Sequence, residues 1–410
     1  MARTVPLSET SSLPVWRRPE ALLFLMAAAM PVAFATWSAL LNNFVIDTAG
    51  FTGVEIGWLH TVREIPGFLA IGVIAILLFV REQVLALVSL TLLGVATALT
   101  AWFPTFGGML FITLLSSIGF HYFETVNQSL QLQWLPKATA PRTIGWIASV
   151  GAGASLLAYG LIVLTWRTLG LDYSTVYLAS GGVTALLAVA ALLLYPQFDS
   201  PHPQNKRMVL RRRYWLYYLL QFLAGARRQI FVVFAAFMMV ERFGFEVDAV
   251  TGLFMINFLV NMLASPWIGR MVQRHGERRM LMIEHAGLTL VFLAYGGIYV
   301  FGWGVAVAAA LYVIDHLFFG MAFALKTYFQ KIADPADIAP TAAVSFTINH
   351  IAAVVLPAAL GYLWVTEPAS LFVLAAGMAL LSLGLSFLIP RHPERGYETV
   401  IARGRPVPAE

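Results

Sequence analysis

The chain has 410 residues, 59% of them hydrophobic and 11% charged, with a formal net charge of +5 and a mean hydropathy of +0.77. Soluble domains carry about 25% charged residues, so the composition excludes one and describes a polytopic, all-α membrane protein. There is no cysteine, which excludes a disulfide framework, a Cys-ligated zinc site and an iron–sulfur cluster. Neither a GxxxxGK[ST] phosphate loop nor an HExxH pair occurs, so the sequence reads as a non-enzyme without cofactor or metal.

Residues 1–19 form a polar tail ending in Trp16-Arg17-Arg18-Pro19. The apolar run that follows spans about 25 residues, longer than the core of a signal peptide, and reads as an uncleaved first spanning helix. A spanning helix needs about 20 largely apolar residues. Twelve such runs are found, at 20–44, 53–80, 83–102, 107–134, 142–166, 173–195, 213–240, 247–269, 279–301, 304–330, 341–365 and 368–390. Connections are short except for the polar stretch QFDSPHPQNKRMVLRRR at 197–213. The expected organisation is a tail (1–19), a six-helix bundle (20–195), a linker (196–212), a second six-helix bundle (213–390) and a C-terminal tail (391–410).

Lys and Arg collect on the cytoplasmic side of membrane proteins. With the N-terminus inside, 20 of the 26 Lys and Arg residues fall in inside segments, 2 (Arg167 and Arg242) outside and 4 within helices. Both termini are therefore expected in the cytoplasm, and short loops favour a bacterial inner membrane. The same asymmetry accounts for the positive charge without a nucleic-acid partner.

The halves resemble each other. AGFTGVEIGWL from Ala49 matches FGFEVDAVTGLF from Phe243, PKATAP at 136–141 matches PADIAP at 335–340, and Pro66 and Pro266 fall at similar depths. A parallel repeat of two bundles is an arrangement that transporters rock around a site near the midplane.

Between the eighth and ninth segments stands Gly269-Arg-Met-Val-Gln-Arg274-His-Gly276-Glu-Arg278-Arg279. This resembles the loop signature of the major facilitator superfamily, roughly G-x-x-x-D-R-x-G-R-R. The resemblance implies two bundles enclosing a central cavity lined by segments 1, 2, 4, 5, 7, 8, 10 and 11, with alternating access. Gly269 and Gly276 permit a tight turn and close helix approach. Arg274 and Arg278 are expected to hold an inward gate through helix ends, carboxylates and lipid heads; the alternative is that they only enforce topology. Gln273 stands where the family usually has Asp, and the first-half copy has shrunk to Val80-Arg81-Glu82. The fifth segment, GWIASVGAGASLLAYG, lacks the Gly-Pro element typical of the drug/proton antiporters.

Ionisable residues inside a membrane are functional candidates by default. The second segment carries His60, Arg63 and Glu64, and the fourth His121, Glu124 and Gln128. The seventh carries Arg227 and Arg228, and the eighth Asn257 and Asn261. The tenth has Asp315, His316 and, nearer the inside, Lys326; the eleventh has Asn349 and His350. All of these segments belong to the family's cavity-lining set, whereas Glu284 and His285 lie within about two turns of the end of the ninth. Arg63 and Glu64 diverge by about 100°, so each is expected to pair across to another helix. Trp16, Trp58, Trp102, Trp134, Trp303 and Trp364 fall at segment ends and read as interfacial belts.

Arginine binds carboxylate or phosphate in a bidentate fork. The leading expectation is a secondary active transporter of a small anionic or zwitterionic organic solute. Its anchor is Arg63, Arg227 or Arg228, helped by Asn257, Asn261, His316 and Asn349. Glu64, Glu124 and Asp315, with His121, are the candidate proton carriers. Arg228 shares a face with Gln221 and is expected to face the cavity, and Arg227 a carboxylate such as Asp315 or Glu64. The competing readings are static interhelical pairs at these positions, an exporter of lipophilic or cationic compounds, and a transporter-like sensor or scaffold. Expected partners are a small-molecule substrate, the bilayer and protons, with the protein a monomer.

Overall fold

The computed structural model describes residues 4–48, 51, 53–199, 202–245 and 247–402. The first half builds α1 Pro19–Asp47, α2 Gly53–Phe68, α3 Glu82–Leu99, α4 Phe106–Trp134, α5 Ala140–Thr168 and α6 Tyr173–Leu194. The second builds α7 Trp215–Gln229, α8 Val247–His275, α9 Glu277–Phe301, α10 Val305–Phe319, α11 Ile338–Thr366 and α12 Pro368–Ser386. Short helical turns extend α2 through Val73–Ile76 and α10 through Phe323–Ile332. Among the described residues ten of these segments are long and apolar enough to cross a membrane. The other two are α11, 29 residues long, and α7, which passes through a π-helical turn, Ile230–Ala235, into a last helical turn at Ala236–Glu241.

The chain divides into two compact units that do not coincide with the sequence halves. Unit 1 comprises residues 1–135, 150–209 and 335–347; unit 2 comprises 136–149, 210–334 and 348–410. The first turns of α5 thus pack in unit 2, and the first turns of α11 in unit 1.

In unit 1 the apolar core lies between α1, α4 and α6, where Trp37, Phe44, Met109 and Tyr177 are all at most 3% exposed. The opposite faces of the helices remain apolar and open, as at Leu157, Leu164, Leu186 and Leu193, a pattern fitted to lipid. The N-terminal tail and the start of the linker are ordered against each other. Thr4–Pro6 pairs in parallel with Gln197–Asp199, and the Gln83 side chain bonds Pro196 O and Phe198 N, both at 2.9 Å. Arg81 reaches Asp199 at 3.4 Å. Further along, Gln204 and Asn205 clasp the turn that starts α11. Gln204 donates to Pro335 O at 2.7 Å and accepts from Ala339 N at 2.9 Å, while Asn205 bonds Ala336 O and Asp337, each at 2.7 Å.

In unit 2 the core lies between the second half of α7, α9, α10 and α12, around Phe231, Phe234, Phe292, Tyr295 and Phe372. Asp334, just past α10, gathers Arg213 and Arg395, with Arg211 at 3.9 Å. The C-terminal stretch is also packed, since Tyr328 donates to Glu398 O at 2.6 Å.

The tryptophans separate into two groups. Trp16, Trp58, Trp102 and Trp303 are exposed, as a belt requires, but Trp134 and Trp364 are 6% and 4% exposed. Trp364 stacks on Phe234 and donates its indole N–H to Glu241 at 2.9 Å. A buried indole needs such an acceptor, and a position near a segment end does not reveal one.

Candidate functional site

Unit 1 contributes a polar cluster on α2 and α4. Arg63 and Glu64 bond each other within α2, where Arg63 Nε and Nη2 both donate to Glu64 Oε1, at 3.1 and 2.8 Å. The backbone directions diverge, but the long arginine side chain folds back across the gap. The pair stays partly open, with side chains 29% and 20% exposed. The guanidinium also lies 5.7 Å from the Trp37 ring, within cation–π range. A small recess beside it is lined by Phe34, Trp37, Arg63, Ser116, Ser117 and Phe120. Ser117 on α4 donates to the Arg63 carbonyl and lies 2.9 Å from His121 Nδ1, so α4 holds the turn of α2 that carries the pair. His121 is buried and edge-on to Phe346, with ring centres 6.0 Å apart. Glu124 is half-buried three residues further on.

A separate recess of about 570 Å³ in unit 1 is lined by residues that include Phe79, Arg81, Gln133, Phe198 and Lys206. At its edge Glu82 accepts from Ser129 at 2.6 Å and from Gln133 at 2.8 and 2.9 Å. The shortened Val80-Arg81-Glu82 copy of the loop signature is therefore occupied in tying α3 to α4 and to the strand at Gln197–Asp199.

In unit 2 the adjacent arginines part company. Arg227 is 2% exposed. Its Nη2 lies 3.8 Å from Glu284 on α9, and Nη1 donates to Ser382 on α12. Asp315 on α10 is 1% exposed and within electrostatic reach of the same guanidinium. Arg228 is half-buried. Asn349 donates to Gln221 O at 3.2 Å, where α11 crosses α7 so closely that a side chain at Gly225 would strike the Asn349 carbonyl. On α8, Asn257 is buried and Asn261 half-buried; a Cβ added at Gly320 would stand 3.3 Å from Asn261 Oδ1. His316 lies beside Phe231, with ring centres 6.0 Å apart. Sequence reasoning passed over Glu284 and His285. The signal was an ionisable pair inside a span, discounted for its nearness to the helix end.

The loop signature is also in unit 2. Gly276 has φ +81° and ψ 159°, a region essentially reserved for glycine, and it breaks the chain between α8 and α9. Gly269 packs against the backbone of Pro141 and Arg142 at the start of α5. Gln273 donates to Ala138 O at 2.9 Å, a bond to a carbonyl that an aspartate could not make. Arg274 is exposed, and Arg278 half-buried. Glu277 pairs with Lys331 at 2.7 Å.

Among the described residues the chain combines twelve helical segments with this loop. The Major Facilitator Superfamily model matches residues 22–357, and the chain belongs to that family. Three solved structures share the fold. The human organic anion transporter MFSD10 (TETRAN) aligns with a TM-score of 0.73 at 13% identity, over 91% of this chain and 100% of that one. The proton:xylose symporter XylE aligns at 0.71 and 11%, over 89% and 94%. A bacterial homologue of the iron transporter ferroportin aligns at 0.70 and 12%, over 90% and 98%. At such identities the likeness is one of fold alone. No protein of curated function matches this sequence.

Proposed function

We propose that the protein is a secondary active transporter, coupled to protons, of a small anionic or zwitterionic organic solute. It works by alternating access as a monomer in a bacterial inner membrane, with both termini cytoplasmic, and it is not an enzyme. The observation that carries the solute class is the half-open Arg63–Glu64 pair beside its aromatic recess. A guanidinium held by one carboxylate can exchange it for that of a solute, and Glu64 is then freed for an amine or a proton. Trp37, Phe34 and Phe120 flank the pair, and the recess of about 10 Å³ among them would have to open, with Phe34 and Phe120 unstacking, to take an apolar part of the same molecule. Arg227, at 2% exposure, is a poor anchor, so of the three arginines Arg63 leads and Arg228 remains second. In unit 2, Asn257, Asn261, His316 and Asn349 are the proposed polar contacts. Glu64, Glu124 and Asp315, with His121, are the proposed proton carriers. Gly269, Arg274, Gly276 and Arg278 are the proposed gate, supported by the close approach of Gly269 to the start of α5.

The test is a thermal-shift screen of carboxylates, amino acids and organic cations on the detergent-solubilised protein at two pH values, since a binder stabilises in proportion to its affinity. Stabilisation by anions or zwitterions that weakens ~10- to 100-fold in Arg63→Ala, the worth of one charge-assisted contact, supports the reading. Binding indifferent to Arg63 and Arg228 refutes it.

A second reading, export of lipophilic or cationic compounds, is favoured by one observation: Arg63 and Arg227 are each engaged by a carboxylate. In that case cations stabilise the protein, and Glu64→Gln, not Arg63→Ala, removes the effect.

A further inference from the structure

Unit 2 contains a buried ionisable group that the proposed solute site does not use. Arg227 of α7, Glu284 of α9 and Asp315 of α10 are 2%, 1% and 1% exposed. The guanidinium holds Ser382 through Nη1 and faces Glu284 through Nη2 at 3.8 Å, and Asp315 interacts electrostatically with both. Three polar atoms of the group, Arg227 Nε, Glu284 Oε2 and Asp315 Oδ1, have no hydrogen-bond partner among the described residues.

Among the described residues the surroundings add no second permanent cation. His285 puts Nδ1 on the Ser386 hydroxyl at 2.8 Å, with Nε2 3.9 Å from Glu284. His316 follows Asp315 on α10, and its Nδ1 is also without a partner. Among the described residues Tyr295 of α9 and Tyr312 of α10 are the remaining titratable groups near Asp315, and α12 presents Ser382 and Ser386. Arginine stays protonated in proteins. One guanidinium therefore balances one carboxylate, and ionising both acids would leave a net negative charge in a dry interior, which is strongly disfavoured.

We propose that Arg227, Glu284 and Asp315 form a single-proton site, in which the two carboxyl groups hold one proton between them and the guanidinium balances the charge of whichever is ionised. Either carboxyl can hold the proton, and the other then carries the charge that Arg227 balances. The role of this site as a coupling proton site rests on the transport reading above; the proton count does not.

The experiment is infrared spectroscopy of the carbonyl stretch of protonated carboxyl groups in the full-length protein, purified in detergent at neutral pH. Glu284→Gln and Asp315→Asn keep the shape of each side chain and leave a neutral pair with Arg227. Each is expected to remove one carboxyl's worth of band, and the double variant no more than either single one. Arg227→Gln, with both acids then uncompensated, is expected to gain one. A band unchanged in either acid variant, a doubled loss in the double variant, or no gain in Arg227→Gln overturns the proposal. Size-exclusion profiles identify folded variants, and any one of the four decides its own part of the count. No solute is needed, so failure of the solute reading leaves this result standing, and the reverse.

Discussion

The Gln204 side chain accepts a hydrogen bond from the backbone N–H of Ala339 at 2.9 Å and donates to the Pro335 carbonyl at 2.7 Å. A residue of the inter-bundle linker thus caps the first turn of α11, more than 130 positions away in sequence. Gln204→Ala strips the cap from a helix start, a loss worth about 1 kcal/mol, and adding Asn205→Ala removes the neighbouring bonds to Ala336 and Asp337. Protease nicking of the linker is expected to accelerate in the double variant. Unchanged nicking would mean that the clasp contributes nothing to holding the linker.

The two arginine pairs are expected to respond oppositely to deletion. Arg227→Ala leaves the ionised carboxyl of the Glu284–Asp315 pair without its cation, so that it must take up a proton at neutral pH, and is expected to cost about 3–5 kcal/mol, whereas Arg63→Ala opens a partly exposed pair worth about 0–1 kcal/mol. Thermal unfolding in detergent checks the order. A protein more sensitive to Arg63 than to Arg227 would contradict the burial argument.

Gly276→Ala forces a side chain into a backbone region that glycine nearly monopolises, at a cost of about 1–3 kcal/mol. The loop should then lose stability with the arginines untouched. Arg274→Ala and Arg278→Ala, in turn, should alter transport rate with little change in unfolding temperature if they act at a gate. Wild-type transport in both would leave them as determinants of topology only.

Asp334 is surrounded by Arg213, Arg395 and Arg211 and is about 11% exposed. Asp334→Asn is expected to cost about 1–2 kcal/mol, between the values for exposed and buried pairs, and to loosen the C-terminal stretch. Hydrogen exchange at residues 391–402 reads the effect directly.

Much of the architecture was legible in the sequence because a membrane span writes itself in hydropathy, and the loop signature writes itself in spacing. Side-chain partners were not. The Arg63–Glu64 bond depends on how far an arginine folds back along its own helix, which helical periodicity alone does not state. Glu284 was discounted because depth was judged from the end of its segment, while its partner is decided by which face of α9 meets α7. The π-helical turn at Ile230–Ala235 contains neither Gly nor Pro, so no breaker marked it. The linker clasp joins residues far apart in the chain, and a polar linker looks the same whether it is bound or free.

Solute-driven proton movement is the most direct consequence of proton-coupled transport through Arg63. Proteoliposomes carrying a pH-sensitive dye report it when a solute from the thermal-shift screen is added, for wild type and for Arg63→Ala. The account predicts proton flux with the solute in wild type and none in Arg63→Ala, although that variant is folded. Equal flux in the two, or solute uptake with no proton movement in wild type, would contradict it.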